Sequence, residues 1–334
     1  MPLYRNKTQS TKVNLPSLEG LEMMSKMEVS ENTKGVLFVS LTSLSWGILP
    51  FILIAILPYS SLSTVVWFRF TFAFACLFFW FLAFNPKRIK KSFPLKILPL
   101  IAGVMLAINY YTYFRGLQLT TASNTEVLIQ GAPLTFTLLG IFLFKEKLRR
   151  LQLLGILVAT FGFAVFYRNQ LAGLIGSTYQ YHLGNFFILI AVLSWAIYAS
   201  FNKISVRELS PQNVNFIIFG ISAILFTPFC DFSVFFLLNQ TGWILMLLLG
   251  LNTILAYGAI GEAIKRISAT KVSIIVTLNP IITLLITAVG NHFDIPWIPK
   301  QNIDWDGYLG ALFVIFGAII VVSQKQKARL KIEL

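Results

Sequence analysis

Long apolar stretches separated by short polar segments make up most of the chain. A bilayer core about 30 Å thick needs roughly 17 to 25 mostly apolar residues per helix, and ten stretches fit this requirement. They lie at 35–57, 62–84, 96–115, 122–144, 151–167, 184–201, 213–238, 242–262, 270–290 and 305–323. The fifth is the shortest, and we expect the seventh to end near Pro228. The pattern predicts an all-α polytopic membrane protein with ten transmembrane helices.

The composition supports this interpretation and narrows the protein class. Of 334 residues, 56% are hydrophobic and 12% are charged, which is about half the charged fraction of a soluble domain. Such a chain is not a soluble enzyme, a disordered protein or a disulfide-built secreted domain. The polar residues 1–34 are predicted to form a disordered cytoplasmic tail, and residues 324–334 a basic cytoplasmic tail.

Positive charge is distributed unevenly between alternate connections. The formal net charge is +14, and 23 of the 27 Lys and Arg residues fall in the tails and the connections on the same side as the tails, against three on the other side. Because Lys and Arg concentrate on the cytoplasmic side, both termini are predicted to be cytoplasmic. The charges are dispersed over short segments, which argues against nucleic acid as a partner.

The two halves of the chain resemble each other in sequence. At an offset of 149, Leu44-Ser45-Trp46 matches Leu193-Ser194-Trp195, and the register continues through Ser61/Ser210 and Phe70/Phe219. At 147, Tyr110 matches Tyr257 and Pro133 matches Pro280, and at 155 Gly155 and Gly162 match Gly310 and Gly317. An odd number of spans per half inverts the second half, so we predict two inverted five-helix repeats at 35–167 and 184–323. This design is typical of secondary transporters.

One stretch resembles a known family. Leu119-Thr120-Thr121-Ala122 through Pro133, then Leu143-Phe144-Lys145-Glu146-Lys147-Leu148, Gln152, Gly155 and Gly162, is similar to the EamA domain of the drug/metabolite transporter superfamily. The resemblance implies a ten-helix carrier with a central cavity that exports small metabolites or amino acids. His292-Phe293-Asp294 replaces the turn Glu in the second half, so a symmetric role for Glu146 is not expected. Instead, Glu146 is expected to pair locally or to cap the following helix.

Polar residues at membrane depth are the first candidates for a substrate site, because they are costly unless they face a cavity or a partner. Ala122, Glu126, Gln130, Pro133 and Thr137 share one face of the fourth span. The matching face of the ninth span has Ala269, Ser273, Thr277 and Pro280, with Asn279 beside it. Both prolines interrupt backbone hydrogen bonding, and a freed carbonyl can line a cavity.

Two ionisable residues inside spans lead to competing hypotheses. Glu126 carries the coupling proton, or it forms a fixed pair with Arg115 or Arg69. Arg69 binds an anionic group of the substrate, or its side chain snorkels to the membrane boundary. Further substrate-binding candidates are Trp46, Asn109, Tyr110, Tyr113, Trp195, Asn252 and Tyr257, each with packing or interface anchoring as the alternative.

Several chemistries lack a motif in this sequence. His182 and His292 lie in loops without a Cys or Glu partner motif, and no phosphate-binding loop is present, so neither a metal nor another cofactor is predicted. The sequence predicts a secondary active exporter or exchanger of small zwitterionic or anionic metabolites in a bacterial inner membrane. It leaves open drug efflux, a non-transporting scaffold role, and assembly as a homodimer. An intramembrane enzyme would need paired catalytic groups, so no catalytic residue is predicted.

Overall fold

The computed structural model describes residues 18–92, 96–120, 125, 128–168, 179–293 and 305–323, without the side chains of 18–30, 90 and 91. Within these ranges the chain is helical and contains no β-strand. The α-helices are α1 (Leu18–Ile56), α2 (Leu62–Phe84), α3 (Lys87–Ser92), α4 (Ile97–Leu119), α5 (Gly131–Phe144), α6 (Arg150–Phe166), α7 (Tyr179–Ser205), α8 (Pro211–Phe226), α9 (Val234–Leu237), α10 (Gln240–Arg266), α11 (Ala269–Val276), α12 (Asn279–His292) and α13 (Trp305–Ser323).

Eight helical segments of the described chain are long and apolar enough to cross a membrane, and α11 and α12 together make one of them. The predicted fourth and fifth spans correspond to the shorter α5 and α6. At 1.5 Å per residue these two helices, as far as the described residues define them, are about 21 and 26 Å long, and part of the predicted fourth span before α5 lies outside the described residues. The fold is therefore an all-α, multi-pass membrane fold, while the count of ten spans stays a prediction.

The first helix differs from the prediction made for the N-terminal tail. It begins at Leu18 instead of near residue 35, so residues 18–34 are helical where a disordered tail was expected. The segment is rich in Leu, Glu, Met and Lys, which are strong helix formers, and it continues directly into an apolar helix. Helix propagation costs much less than nucleation, which explains the extension. Residues 1–17 and 324–334 lie outside the described residues.

Equivalent positions in the two halves begin their helices in the same way. Ser61 caps α2 by accepting a hydrogen bond from Thr64 N, and Ser210 caps α8 by accepting one from Asn213 N. A serine at this position satisfies a backbone N–H that has no partner within the helix. The seventh segment ends as the proline predicts, because α8 stops at Phe226 and a short 3₁₀ turn at Thr227–Phe229 follows.

The helices pack as two related sets. α1 packs on α10 as α7 packs on α4, α2 packs on α10 as α8 packs on α4, and α1 packs on α12 as α7 packs on α5. Two further pairs, α2 with α8 and α6 with α13, join equivalent helices of the two halves. Exchanging the halves therefore leaves the packing arrangement unchanged, which is the property of an approximate two-fold axis.

Glycines fix the direction of the α6–α13 pair. A Cβ on Gly317 would lie 2.5 Å from the carbonyl oxygen of Gly155, and a Cβ on Gly310 would lie 2.6 Å from that of Gly162. Gly155 therefore faces Gly317, whereas its sequence equivalent is Gly310. Two equivalent helices that cross in this order run antiparallel, with backbones in direct contact because no side chain separates them.

Gly317→Ala is expected to destabilise the protein. The added methyl would meet the Gly155 carbonyl at 2.5 Å and the Ala159 backbone nitrogen at 2.7 Å, and backbone atoms cannot rotate away. We expect a loss of about 1–3 kcal/mol in the free energy of unfolding, the usual cost of overpacking. Denaturant titration in detergent micelles measures it. Gly258→Ala is the control, because a Cβ there meets nothing within 4 Å; equal stability of the two variants would contradict the packing.

Ion pairs and hydrogen bonds hold several of the described basic residues at one end of the bundle, which we call the basic end. There Lys96 at the start of α4 pairs with Glu208 just after α7, and Asn213 donates to the carbonyl of Arg88 at 2.8 Å. At the opposite end Arg168, after α6, pairs with Asp306 at the start of α13. The Lys96–Glu208 and Arg168–Asp306 ion pairs thus lie at opposite ends of the bundle.

Candidate functional site

Three pairs of repeat-equivalent aromatic residues meet at the centre of the bundle. The ring centroids of Trp46 and Trp195 are 6.3 Å apart, and those of Phe70 and Phe219 are 6.1 Å apart. The Tyr110 and Tyr257 hydroxyls form a 2.9 Å hydrogen bond. A residue can touch its own symmetry equivalent only if both lie close to the axis. The approximate two-fold axis therefore passes through this aromatic cluster, which we define as these six residues.

Ring contacts also join the three pairs of the cluster to each other. Tyr257 contacts the rings of Trp46, Phe70 and Phe219 at centroid distances of 5.7, 6.3 and 5.9 Å. Phe219 and Tyr257 are buried, while Trp46 and Tyr110 are half-buried. Edge-to-face contacts of this kind are favourable and geometrically specific, so the two halves are joined here by a defined aromatic surface.

Arg69 lies next to the cluster and is almost completely buried. Its relative exposure is 2%, so the snorkelling hypothesis is wrong. Nε donates to Thr253 Oγ1 at 2.8 Å, and Cζ lies 5.8 Å from the centroid of the Tyr110 ring. Buried Nη2 has no hydrogen-bond partner among the described residues. The guanidinium is therefore only partly satisfied by the protein groups that the structure describes.

The ninth predicted span is broken beside the cluster. The helix stops at Val276 and resumes at Asn279, just before Pro280. Pro280 lacks the N–H that would bond the carbonyl four residues back. Helix α1 packs against the break, where Ser43 donates to the Ile275 carbonyl at 2.8 Å. The Asn279 side-chain oxygen is buried without a hydrogen-bond partner in the described part of the chain.

Three other predicted site residues form hydrogen bonds outside the aromatic cluster, and one of them does so beside it. Asn252 donates to the Ser45 carbonyl at 2.8 Å, one residue before Trp46, and its own side-chain oxygen is unpartnered within the described ranges. Asn109 donates to the Ala191 carbonyl at 2.9 Å and so joins α4 to α7. Thr277 donates to the carbonyl of Ile274, in the helix turn before it, at 2.7 Å.

The remaining predicted residues have less defined positions. Tyr113 packs edge-on against Phe114, and Gln130 is half-buried just before α5. Pro133 is buried in the first turn of α5. Ala122 and Glu126 lie outside the described residues, so the structure does not test whether Glu126 pairs with Arg69. Arg115, the other proposed partner of Glu126, donates a hydrogen bond to the side chain of Gln118 at the end of α4.

The sequence predicted that Glu146 pairs locally or caps the following helix, but its carboxylate caps α11 of the other half. Its carboxylate accepts from Ala269 N at 2.8 Å, from Thr270 N at 3.3 Å and from Thr270 Oγ1 at 3.0 Å. Lys203 Nζ lies 3.8 Å from Glu146 Oε1. Gly140 makes this approach possible, because a Cβ there would lie 2.9 Å from Ala269 Cβ. The contact joins the halves at the basic end.

Sequence reasoning missed two kinds of contributor. Phe70 and Phe219 were matched as repeat equivalents but not as part of a site; their shared aromatic type was the available signal. Thr253 has no distinguishing feature in an apolar helix. In the described part of the chain, no cluster of three or more His, Cys, Asp or Glu residues could hold a metal ion.

A two-fold arrangement of repeated helix sets in a multi-pass bundle, with partly unsatisfied polar groups at the axis, defines the class of membrane transporters built from repeats. The family model described as the EamA-like transporter family matches the chain twice, at residues 33–168 and 182–323. The chain belongs to the EamA-like transporter family. This confirms the resemblance that the sequence motifs indicated.

Similar proteins carry transporter names without a substrate. An "Uncharacterized transporter" of Haemophilus influenzae is 28% identical over 288 residues, which cover 86% of this chain and 94% of that protein. The "Uncharacterized inner membrane transporter YhbE" of Escherichia coli K12 is 27% identical over 85% of this chain and 90% of its own. "Uncharacterized transporter YxxF" of Bacillus subtilis is 27% identical over 70% and 72%.

A solved structure has the same fold. One crystal structure superposes with a TM-score of 0.68 at 17% sequence identity, covering 86% of this chain and 96% of the other. At this identity the match concerns the fold alone. Together with the family match, it identifies this chain as a multi-pass membrane transporter.

Proposed function

We propose that this protein is a secondary active carrier that exports or exchanges small metabolites, such as amino acids or related zwitterionic or anionic compounds. It crosses the inner membrane of a bacterium ten times, five times per half, with both termini in the cytoplasm. It carries its substrate without chemical change. The observation that supports this most directly is the meeting of three repeat-equivalent aromatic pairs at the axis between the halves.

The symmetry provides a mechanism of alternating access. If the two halves are inverted copies, each can adopt the conformation of the other, and exchanging these conformations moves the open side from one membrane face to the other. The antiparallel contact of α6 with α13 supports this inversion. Substrate bound at the axis touches both halves in either state, so the aromatic cluster is the expected binding region.

Comparison of metabolites inside and outside cells, with and without this protein, is the most informative experiment. We expect a small set of amino acids or organic anions to accumulate outside expressing cells. Each candidate is then loaded, labelled, into vesicles that contain the purified protein, and its efflux is measured under imposed ion gradients. Exclusive release of amphipathic drugs would favour drug efflux, and no exchange of any compound under any gradient would contradict a transport function.

Glu126→Gln is expected to remove any driving of transport by a proton gradient. Glu126 is the acidic residue predicted to lie well inside a span. Its carboxyl group can take up and release a proton at that position, whereas the amide of Gln cannot. Vesicles with an imposed pH gradient measure the effect, and Glu208→Gln, at an exposed ion pair, is the control. Full transport driven by the pH gradient in Glu126→Gln would end the proton-carrier hypothesis.

A further inference from the structure

The aromatic cluster is symmetric, but its surroundings are not. Arg69 on α2 contacts Thr253 on α10. At the same repeat offsets, the equivalent positions on α8 and α4 are Ile218 and Leu106, and both are fully buried. One side of the axis therefore carries a buried guanidinium, and the other side carries an apolar wall.

A charge in this position is costly for folding. Burying an ionised group without a full set of partners is strongly unfavourable, and the other half demonstrates that an apolar pair fits the same packing. Arg69 has one hydrogen bond to a neutral hydroxyl, a position beside the Tyr110 ring, and a buried Nη2 that no described residue satisfies. Among the described residues no carboxylate forms an ion pair with it.

Hydrogen bonding holds one side of the guanidinium and leaves Nη2 without a partner among the described residues. Thr253 accepts from Nε while its own hydroxyl donates to the Leu249 carbonyl at 2.9 Å, so the threonine is fixed and in turn fixes the arginine. The planar fork of Arg matches the two oxygens of a carboxylate. Since Arg69 is 2% exposed, its guanidinium lies inside the helix bundle and not at the membrane surface, where lipid headgroups are.

We infer that Arg69 is a specificity-determining residue that binds the carboxylate of the transported substrate, while the aromatic cluster contacts its apolar body. This inference rests on the proposed transport function and names the chemical class of the substrate as small organic carboxylates. It also explains why only one half carries a buried guanidinium, because a single cation beside a two-fold aromatic surface orients the substrate in one direction.

Matched carboxylate and amide ligands test the inference on the purified full chain in detergent. The probes are the individual L-amino acids and, for each one that raises the midpoint of thermal unfolding, its carboxamide. We expect the carboxylate to bind at least tenfold more tightly than the amide in the wild type. We expect Arg69→Met to lose this preference and Arg69→Lys to retain only part of it, because an ammonium cannot form the bidentate pair. Sodium chloride and sodium phosphate serve as inorganic anions.

Stability measurements separate a binding role from a structural one. Arg69→Met, which resembles the apolar pair of the other half, is expected to unfold at the wild-type midpoint or above it without ligand. Arg115→Gln is the control, because Arg115 lies away from the cluster and donates a 3.0 Å hydrogen bond to the side chain of Gln118. This variant should keep the wild-type preference for the carboxylate. A double-mutant cycle with Glu126→Gln tests the alternative of a fixed pair.

The outcomes distinguish failure of the inference from failure of the proposed function. Equal binding of carboxylate and amide, or an unchanged preference in Arg69→Met, would overturn the role of Arg69 while transport stands. Stronger binding of the inorganic anions than of any carboxylate, or a stability coupling between Arg69 and Glu126, would overturn it as well. No binding of any probe, together with no efflux from vesicles, would overturn both proposals.

Discussion

Trp195→Ala is expected to cost about 3–5 kcal/mol in the free energy of unfolding, the usual range for truncating a core tryptophan. Trp195 is 8% exposed and packs against the rings of Trp46, Phe136 and Tyr198 at 6.3, 6.0 and 6.3 Å. Removing the indole leaves a cavity between the halves that well-packed neighbours fill only partly. Denaturant titration in micelles measures the loss.

Trp46→Ala, the equivalent substitution in the other half, should affect stability less and transport at least as much. Trp46 is half-buried and contacts Trp195 and Tyr257. Because the Trp46 ring buries less apolar surface than the Trp195 ring, Trp46→Ala is expected to cost less stability than Trp195→Ala. It should nevertheless reduce transport in vesicles at least as strongly, if the cluster is the substrate site.

Trp80→Ala is the matched control for both tryptophans. Trp80 is 57% exposed on α2 and lies on the outer surface, so neither stability nor transport should change much. Transport by Trp46→Ala at the wild-type rate and with the wild-type KM would reduce the cluster to a packing element. The site would then have to lie elsewhere on the axis.

How much of this site the sequence predicts depends on whether a signal is local or repeated. Trp46, Trp195, Tyr110 and Tyr257 could be nominated because the repeat register pairs them, and a residue close to the axis can contact its own equivalent. Pro280 also predicts a local break, and the helix does stop at Val276. Both signals are readable without knowing which helices are neighbours.

Properties that depend on neighbours distant in sequence could not be predicted. Arg69 was given two environments, and only the packing of α2 on α10 decides that it is buried. Glu146 was expected to act locally, but its partner lies 123 residues away in the other half. The start of α1 was missed for a different reason, because a short polar segment of good helix formers becomes helical only when an adjoining helix supplies the nucleus.

The Glu146 contact is electrostatically well matched, which makes its loss expensive. The carboxylate accepts hydrogen bonds from the first backbone N–H groups of α11, where the helix dipole is positive. Lys203 donates to the Ile264 and Ile267 carbonyls at 3.3 and 2.8 Å, at the negative end of α10. The two side chains are 13% and 12% exposed and attract each other. Each charge therefore satisfies a helix end and a partner.

Glu146→Ala is accordingly expected to cost about 3–5 kcal/mol, the range for removing one member of a buried ion pair. It leaves Lys203 without its counter-charge and α11 without its cap. Glu146→Gln keeps an acceptor for the backbone and should cost less, about 1–3 kcal/mol. Denaturant titration ranks the variants, and Glu208→Gln is the control, because exposed Glu208 forms a surface pair in which Lys96 lowers its pKa.

The functional consequence follows from which halves the contact joins. Glu146 belongs to the first half, whereas Lys203, Ala269 and Thr270 belong to the second. If access alternates by separation of the halves, opening the basic end must break this contact, and weakening it shifts the population toward the state open at that end. In a background that lacks the thiols of Cys76 and Cys230, the reactivity of Ser273→Cys toward a membrane-impermeant thiol reagent should therefore rise in Glu146→Gln. Unchanged reactivity together with a measurable loss of stability would make Glu146 a static cap that persists through the transport cycle.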